Sequence, residues 1–164
     1  MHRSTSRRGF TLIEILIVVI ILGILAAIVI PQFSSASNDA RKSSLASTAQ
    51  TMRSQIALYR LQHNDVLPGA GASGFASASF WTQMTTKTDA TGAAYSGTST
   101  SGPFGPYMQT TPVNPLAAAQ SWQSTVTDGT AATTLSTATG FVYDYTGGTG
   151  NFWGTDSTGK TVIP

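Results

Sequence analysis

The chain has 164 residues, 41% hydrophobic and only 10% charged, with nine Lys and Arg against seven Asp and Glu. The absence of cysteine excludes disulfides and thiolate metal sites, and with only His2 and His63, far apart in sequence, a His-rich metal site is excluded as well. A pI near 9.2 invites a nucleic-acid partner, but Arg3, Arg7 and Arg8 precede a long apolar run. Without them six basic residues face seven acidic ones, which argues against an electrostatic footprint for nucleic acid.

Residues 10–30 contain only two polar side chains, Thr11 and Glu14. A helix over this run spans roughly 31 Å, the thickness of a bilayer's hydrocarbon core. With arginines before it and no acid among them, the positive-inside rule places the N-terminus in the cytoplasm and the remainder outside. A secretory signal peptide has the same basic start but an apolar region of about 7–15 residues and a small-residue cleavage site; Ser35-Ala36-Ser37 is the candidate for that alternative. Glu14 is the anomaly. An ionised side chain costs about 2.5–3.5 kcal/mol at the bilayer centre on insertion scales and less near the interface, so taken alone it reads as a tolerated interfacial charge.

Pro31 has no amide hydrogen, and a helix continuing through it loses the bond to the Ala27 carbonyl and is expected to kink. Beyond it Leu45, Ala49, Met52, Ile56 and Tyr59 recur at spacings of four and three, a stripe that predicts an amphipathic half over residues 31–63 with one face on a core. Pro68 and the glycines after it end the helix by Leu67. A helix over residues 10–63 is roughly 80 Å long, far beyond the globular norm. Residues 69–105 read mostly as loop, with a short helix around residues 77–84. Residues 102–116 hold four prolines and read as a rigid connector. Near the end, Phe141, Tyr143 and Tyr145 alternate with Val142 and Asp144, turn at Gly147-Gly148 and resume at Asn151-Phe152-Trp153, a hairpin laid over the helix. The expected class is α+β, one long N-terminal helix on a small antiparallel C-terminal sheet.

Two motif matches fail on context. Residues 154–161, GTDSTGKT, satisfy the phosphate-binding pattern G-x-x-x-x-G-K-[ST], but only three residues follow, too few for the helix whose N-terminus must face the phosphates. Residues 69–74, GAGASG, satisfy G-x-G-x-x-G but follow a helix and open no strand-helix unit.

Residues 7–33, RRGFTLIEILIVVIILGILAAIVIPQF, closely resemble the N-terminus of type IV pilins and of type II secretion pseudopilins. The resemblance implies a leader over residues 1–9, cut by a prepilin peptidase between Gly9 and Phe10, with N-methylation of Phe10. It matches Glu14 to the family's glutamate at the fifth mature position, and Pro31 to a proline usual at that point. The Gly-Pro-Tyr segment and the G-F-V-Y-D hairpin are similar to the major, G-type pseudopilin. The implied organisation is a leader over 1–9, a transmembrane and fibre-core helix over 10–30, its amphipathic half over 31–63, and a periplasmic head over 64–164. The implied partners are the prepilin peptidase, further copies of the chain, other pilin-like subunits and an inner-membrane assembly platform; no enzymatic activity or cofactor is implied. Major pseudopilins often bind calcium through acids of a C-terminal loop, whereas Asp128, Asp144 and Asp156 here are widely spaced. The lack of the C-terminal disulfide of adhesive type IV pilins tilts the reading toward a secretion pseudopilus over a type IV pilus for adhesion, motility or DNA uptake. A membrane-tethered binding module is the alternative of another class, and a tethered hydrolase built on His63 a third.

Overall fold

The computed structural model describes residues 9–71, 74–97, 100, 102–117, 125–129, 139–156 and 158. It divides into two compact units, Met1–Ala40 and Arg41–Pro164, and one helix, α1 (Leu12–Gln62), contributes to both. Half of the phosphate-loop match at 154–161, positions 157 and 159–161, lies outside the described residues.

In the first unit every described residue of the helix is exposed, and the large apolar side chains between Phe10 and Phe33 are 41–85% accessible. This is the one described helix long and apolar enough to cross a membrane, with a mean hydropathy of 3.3 over its most apolar window and none of that window buried. A soluble core helix of that composition would be covered by its own protein.

In the second unit α1 is amphipathic as its spacing predicts: Leu45, Ala49, Met52, Ile56 and Tyr59 are its buried residues. They share one core with Phe80 and Met84 of α2 (Ser77–Thr85) and with Phe141, Tyr143 and Phe152 of the sheet. The short helix expected around 77–84 is α2, and Phe80 and Met84, four residues apart, form its inner face. Helix α1 ends where Asn64 and Asp65 take left-handed backbone angles, φ 52° and 66°. The Asp65 amide donates to the Arg60 carbonyl at 2.9 Å, a C-terminal capping turn, and the Arg60 guanidinium pairs with the Asp65 carboxylate at 2.6 Å.

Strands β1 (Ala70–Gly71) and β2 (Gly74–Phe75) form a two-residue antiparallel ladder. The main sheet has the order β3-β4-β5. Strand β4 (Phe141–Tyr143) and strand β5 (Phe152–Gly154) pair antiparallel, Val142 opposite Trp153; this is the hairpin read from the alternation. Strand β3 (Val126–Asp128) joins β4 in parallel, Asp128 opposite Tyr143, so the sheet is mixed and not purely antiparallel. Three residues, V-T-D, inside a Ser/Thr/Gly/Ala-rich stretch carry no alternation from which a strand could be read.

Helix and sheet meet closely. A Cβ on Gly154 would lie 2.5 Å from the Leu45 side chain, so only glycine admits β5 to this distance. On the same side the Arg53 Nε–H donates to the Phe152 carbonyl at 3.0 Å. The proline-rich connector is held by buried Asn114, whose amide nitrogen donates to the carbonyls of Gly140 at 2.5 Å and Thr155 at 2.7 Å while its oxygen accepts from the Leu116 amide at 2.8 Å.

Two substitutions test this packing with opposite signs. Asn114→Ala removes a buried donor from the Thr155 carbonyl, while the Gly140 carbonyl keeps the Thr155 amide and hydroxyl, and is expected to cost about 1–3 kcal/mol in denaturant unfolding. The Tyr143 hydroxyl is buried with no hydrogen-bond partner among the described residues, and that burial pushes its phenol well above the usual range. Tyr143→Phe therefore leaves stability unchanged or raises it by up to about 1 kcal/mol; a loss above that size would mean the hydroxyl is satisfied.

Candidate functional site

The residues singled out by sequence fall at the start of α1. Gly9 and Phe10 immediately precede the helix, and Phe10 is 85% exposed. Thr11 stands at the cap position and Glu14 at the third helical residue, which is the spacing of a capping box. The Glu14 Oε2 accepts from the Thr11 amide at 2.8 Å and from the Thr11 hydroxyl at 2.7 Å, and the Glu14 amide approaches the Thr11 hydroxyl oxygen at 3.3 Å. Two of the helix's four unpaired N-terminal donors are reached in this way, and the carboxylate sits where the helix dipole favours negative charge. Thr11 is the member that sequence reasoning passed over. Its signal was present, since T-L-I-E before an apolar run is the [ST]-x-x-[DE] pattern.

Pro31 lies inside α1, seventeen residues beyond Glu14, and so shares no local geometry with it. One turn further on, the Ser35 hydroxyl donates to the Pro31 carbonyl at 3.3 Å, a back-bond that competes with helix geometry where the proline has already removed one amide donor.

In the head, His63 is fully buried at the end of α1. Its Nδ1 lies 2.8 Å from the Tyr59 carbonyl and its Nε2 2.9 Å from the Thr88 hydroxyl. The carbonyl can only accept, so Nδ1 carries a proton, and in the neutral ring Nε2 accepts from the Thr88 hydroxyl. A hydroxyl on an imidazole has the look of a nucleophile and its base. Here, however, His63 and Thr88 are 0% and 1% exposed, and the ring is stacked on Tyr59 at 3.7 Å and edged by Phe104 at 5.4 Å. The pair is a core fastening that ties α1 to the segment around Thr88, which itself bridges to Ala94 and Phe104. Of the three late acids, the fold brings Asp128 and Asp144 to one turn; Asp156 lies beyond the far end of β5.

Comparison with known proteins points to the same end of the chain. Residues 4–30 match the family model described as the prokaryotic N-terminal methylation motif. The chain is 36% identical over 62 residues to the type II secretion system core protein G of Klebsiella michiganensis, covering 38% of this chain and 44% of that protein. It is 42% identical over 55 residues to the type IV narrow pilus major component PilA5 of Thermus thermophilus, covering 34% and 47%. It is 35% identical over 74 residues to a fimbrial protein of Neisseria meningitidis serogroup A, covering 45% and 44%. In each case the chain spans less than half the length of the curated relative. No solved structure matches at a significant level. Over its N-terminal segment, from the arginines through the exposed apolar helix, the chain is similar to type IV pilins and type II secretion pseudopilins.

Proposed function

We propose that this protein is a structural, non-catalytic subunit of a pilus-like fibre, and more narrowly a type II secretion pseudopilin whose polymer helps extrude folded proteins. The observation that carries the reading is the N-terminal half of α1, fully exposed, apolar and opened by a single carboxylate. Such a surface needs lipid while the subunit is stored and other copies of itself once it leaves the bilayer. A type IV pilus subunit for adhesion, motility or DNA uptake is the second reading, favoured by the similarity to pilus components as well as to core protein G.

The residue roles follow from that life cycle. Residues 1–9 stay cytoplasmic by their arginines, with the head in the periplasm and α1 as a single inner-membrane pass. A prepilin peptidase cuts between Gly9 and Phe10, and Phe10 becomes the N-methylated first residue. In lipid the capping box gives Glu14 two donors of its own chain, which lowers the cost of carrying a carboxylate near the interface. In the fibre Glu14 pairs with the cationic Phe10 amine of a neighbouring copy, and because a buried charge strongly needs its partner the pair sets the axial register. Pro31 introduces the kink that lets the two halves of α1 follow different surfaces. The inner-membrane assembly platform and other pilin-like subunits are the remaining partners.

Intact mass measurement of the protein from its native membrane is expected to find a chain beginning at N-methyl-Phe10; retention of Met1 would point instead to a tethered binding module, and a start near Asn38 to a secreted domain. Glu14→Ala is expected to be cleaved normally yet to lower the yield of sheared fibre at least about tenfold, equivalent to about 1.4 kcal/mol in assembly. Wild-type yield from that variant would remove the register role. Thr11→Ala should cost the helix start about 0.5–2 kcal/mol, visible in detergent as faster amide exchange over residues 12–15 with the head unchanged.

A further inference from the structure

The C-terminal turn contains two carboxylates that fibre assembly leaves unused. Asp128 closes β3, and because β3 runs parallel to β4 in register with Tyr143, it arrives beside the β4–β5 turn. Asp144 opens that turn and is only 5% exposed. Asp156 serves its own local turn, accepting from the Thr158 amide and hydroxyl.

The surroundings of the pair are made of donors. The Asp128 Oδ1 accepts from the Tyr145 amide at 3.0 Å and the Thr146 amide at 3.1 Å, and its Oδ2 from the Thr146 hydroxyl. The Asp144 Oδ1 accepts from the Gly147 amide at 2.9 Å, and its Oδ2 from the Thr149 hydroxyl. A Cβ on Gly147 would fall 2.3 Å from the Asp144 Oδ1, so the carboxylate is seated against bare backbone.

Calcium, which major pseudopilins often bind through acids of a C-terminal loop, takes six to eight oxygen ligands. Three of the five groups turned on these carboxylates are N–H dipoles with their positive ends inward. The backbone cannot readily turn over to offer oxygen instead. Asp144 donates to the Asn151 carbonyl at 2.9 Å, Gly150 donates to the Asp144 carbonyl at 3.0 Å, and Gly148 donates to that of Tyr145 at 3.0 Å. The donor set does not fit a calcium ion.

We propose that Asp128 and Asp144 form a cation-independent clasp, in which amides and threonine hydroxyls of residues 145–149 take the place of a metal and join β3 to the β4–β5 turn. The clasp is a property of the single subunit, so its test is separate from fibre assembly. The full chain in detergent is melted by tryptophan fluorescence, once with excess EDTA and once with millimolar calcium. The two melting temperatures are expected to coincide, while Asp128→Asn and Asp144→Asn each lower them by roughly 4–8 °C in both conditions. Thr149→Val, a milder change, lowers them by less and equally in both. Calcium raising the wild-type melting temperature, with the rise lost in Asp144→Asn, would overturn the proposal. So would carboxamide variants that melt with the wild type.

Discussion

One helix has to satisfy two environments, and most of what is unusual about this protein follows from that requirement. Over its first half α1 offers apolar side chains on every side, all of them exposed among the described residues. Over its second half it narrows to a stripe of five buried residues. The change is one of pattern rather than of propensity: serine, alanine and charged residues replace isoleucine and leucine on three sides while the fourth stays apolar. The first half is stable as a helix in lipid because its backbone donors and acceptors are paired within the segment. The second half draws its stability from packing.

That packing is aromatic and tight. Phe80 lies 4.8 Å from Tyr143, Phe141 lies 5.0 Å from Phe152, and Phe75 joins Tyr143 at 5.7 Å, ring centre to ring centre. Aromatic rings bury large areas per residue, which lets two- and three-residue strands hold a head rich in glycine, serine and threonine. The polar residues inside are fasteners: His63 and Asn114 each join segments far apart in sequence through groups that are otherwise difficult to satisfy in a core.

What could be read in advance was whatever repeats with a period. The stripe on α1, the short α2 and the β4–β5 hairpin each depend on a spacing of apolar residues that survives in sequence. Strand β3 has three residues and no alternation, and its parallel pairing is decided by the partner strand, so nothing local announces it. His63 was visible only as a residue on an amphipathic helix, because its partner Thr88 is twenty-five positions away. At the candidate site the glycine, phenylalanine and glutamate were legible as a motif. Thr11 was legible only through capping chemistry, since a threonine at the border of an apolar run has no periodicity to mark it.

The hydrogen bond from Arg53 to Phe152 reaches further than the core it borders. Asn151 and Thr155 turn their backbone groups toward β4, so the intervening Phe152 turns its carbonyl to the outer edge of the sheet. There the helix's own guanidinium occupies it. An outer edge left bare is a template on which a second chain can add a strand, and proteins at high local concentration are selected against leaving one. A subunit of the proposed fibre, crowded side by side with identical copies, would be under that pressure throughout its life. In the fibre proposed above, a charged side chain already seated on β5 would discourage neighbouring heads from fusing their sheets and leave ordered association to the helices.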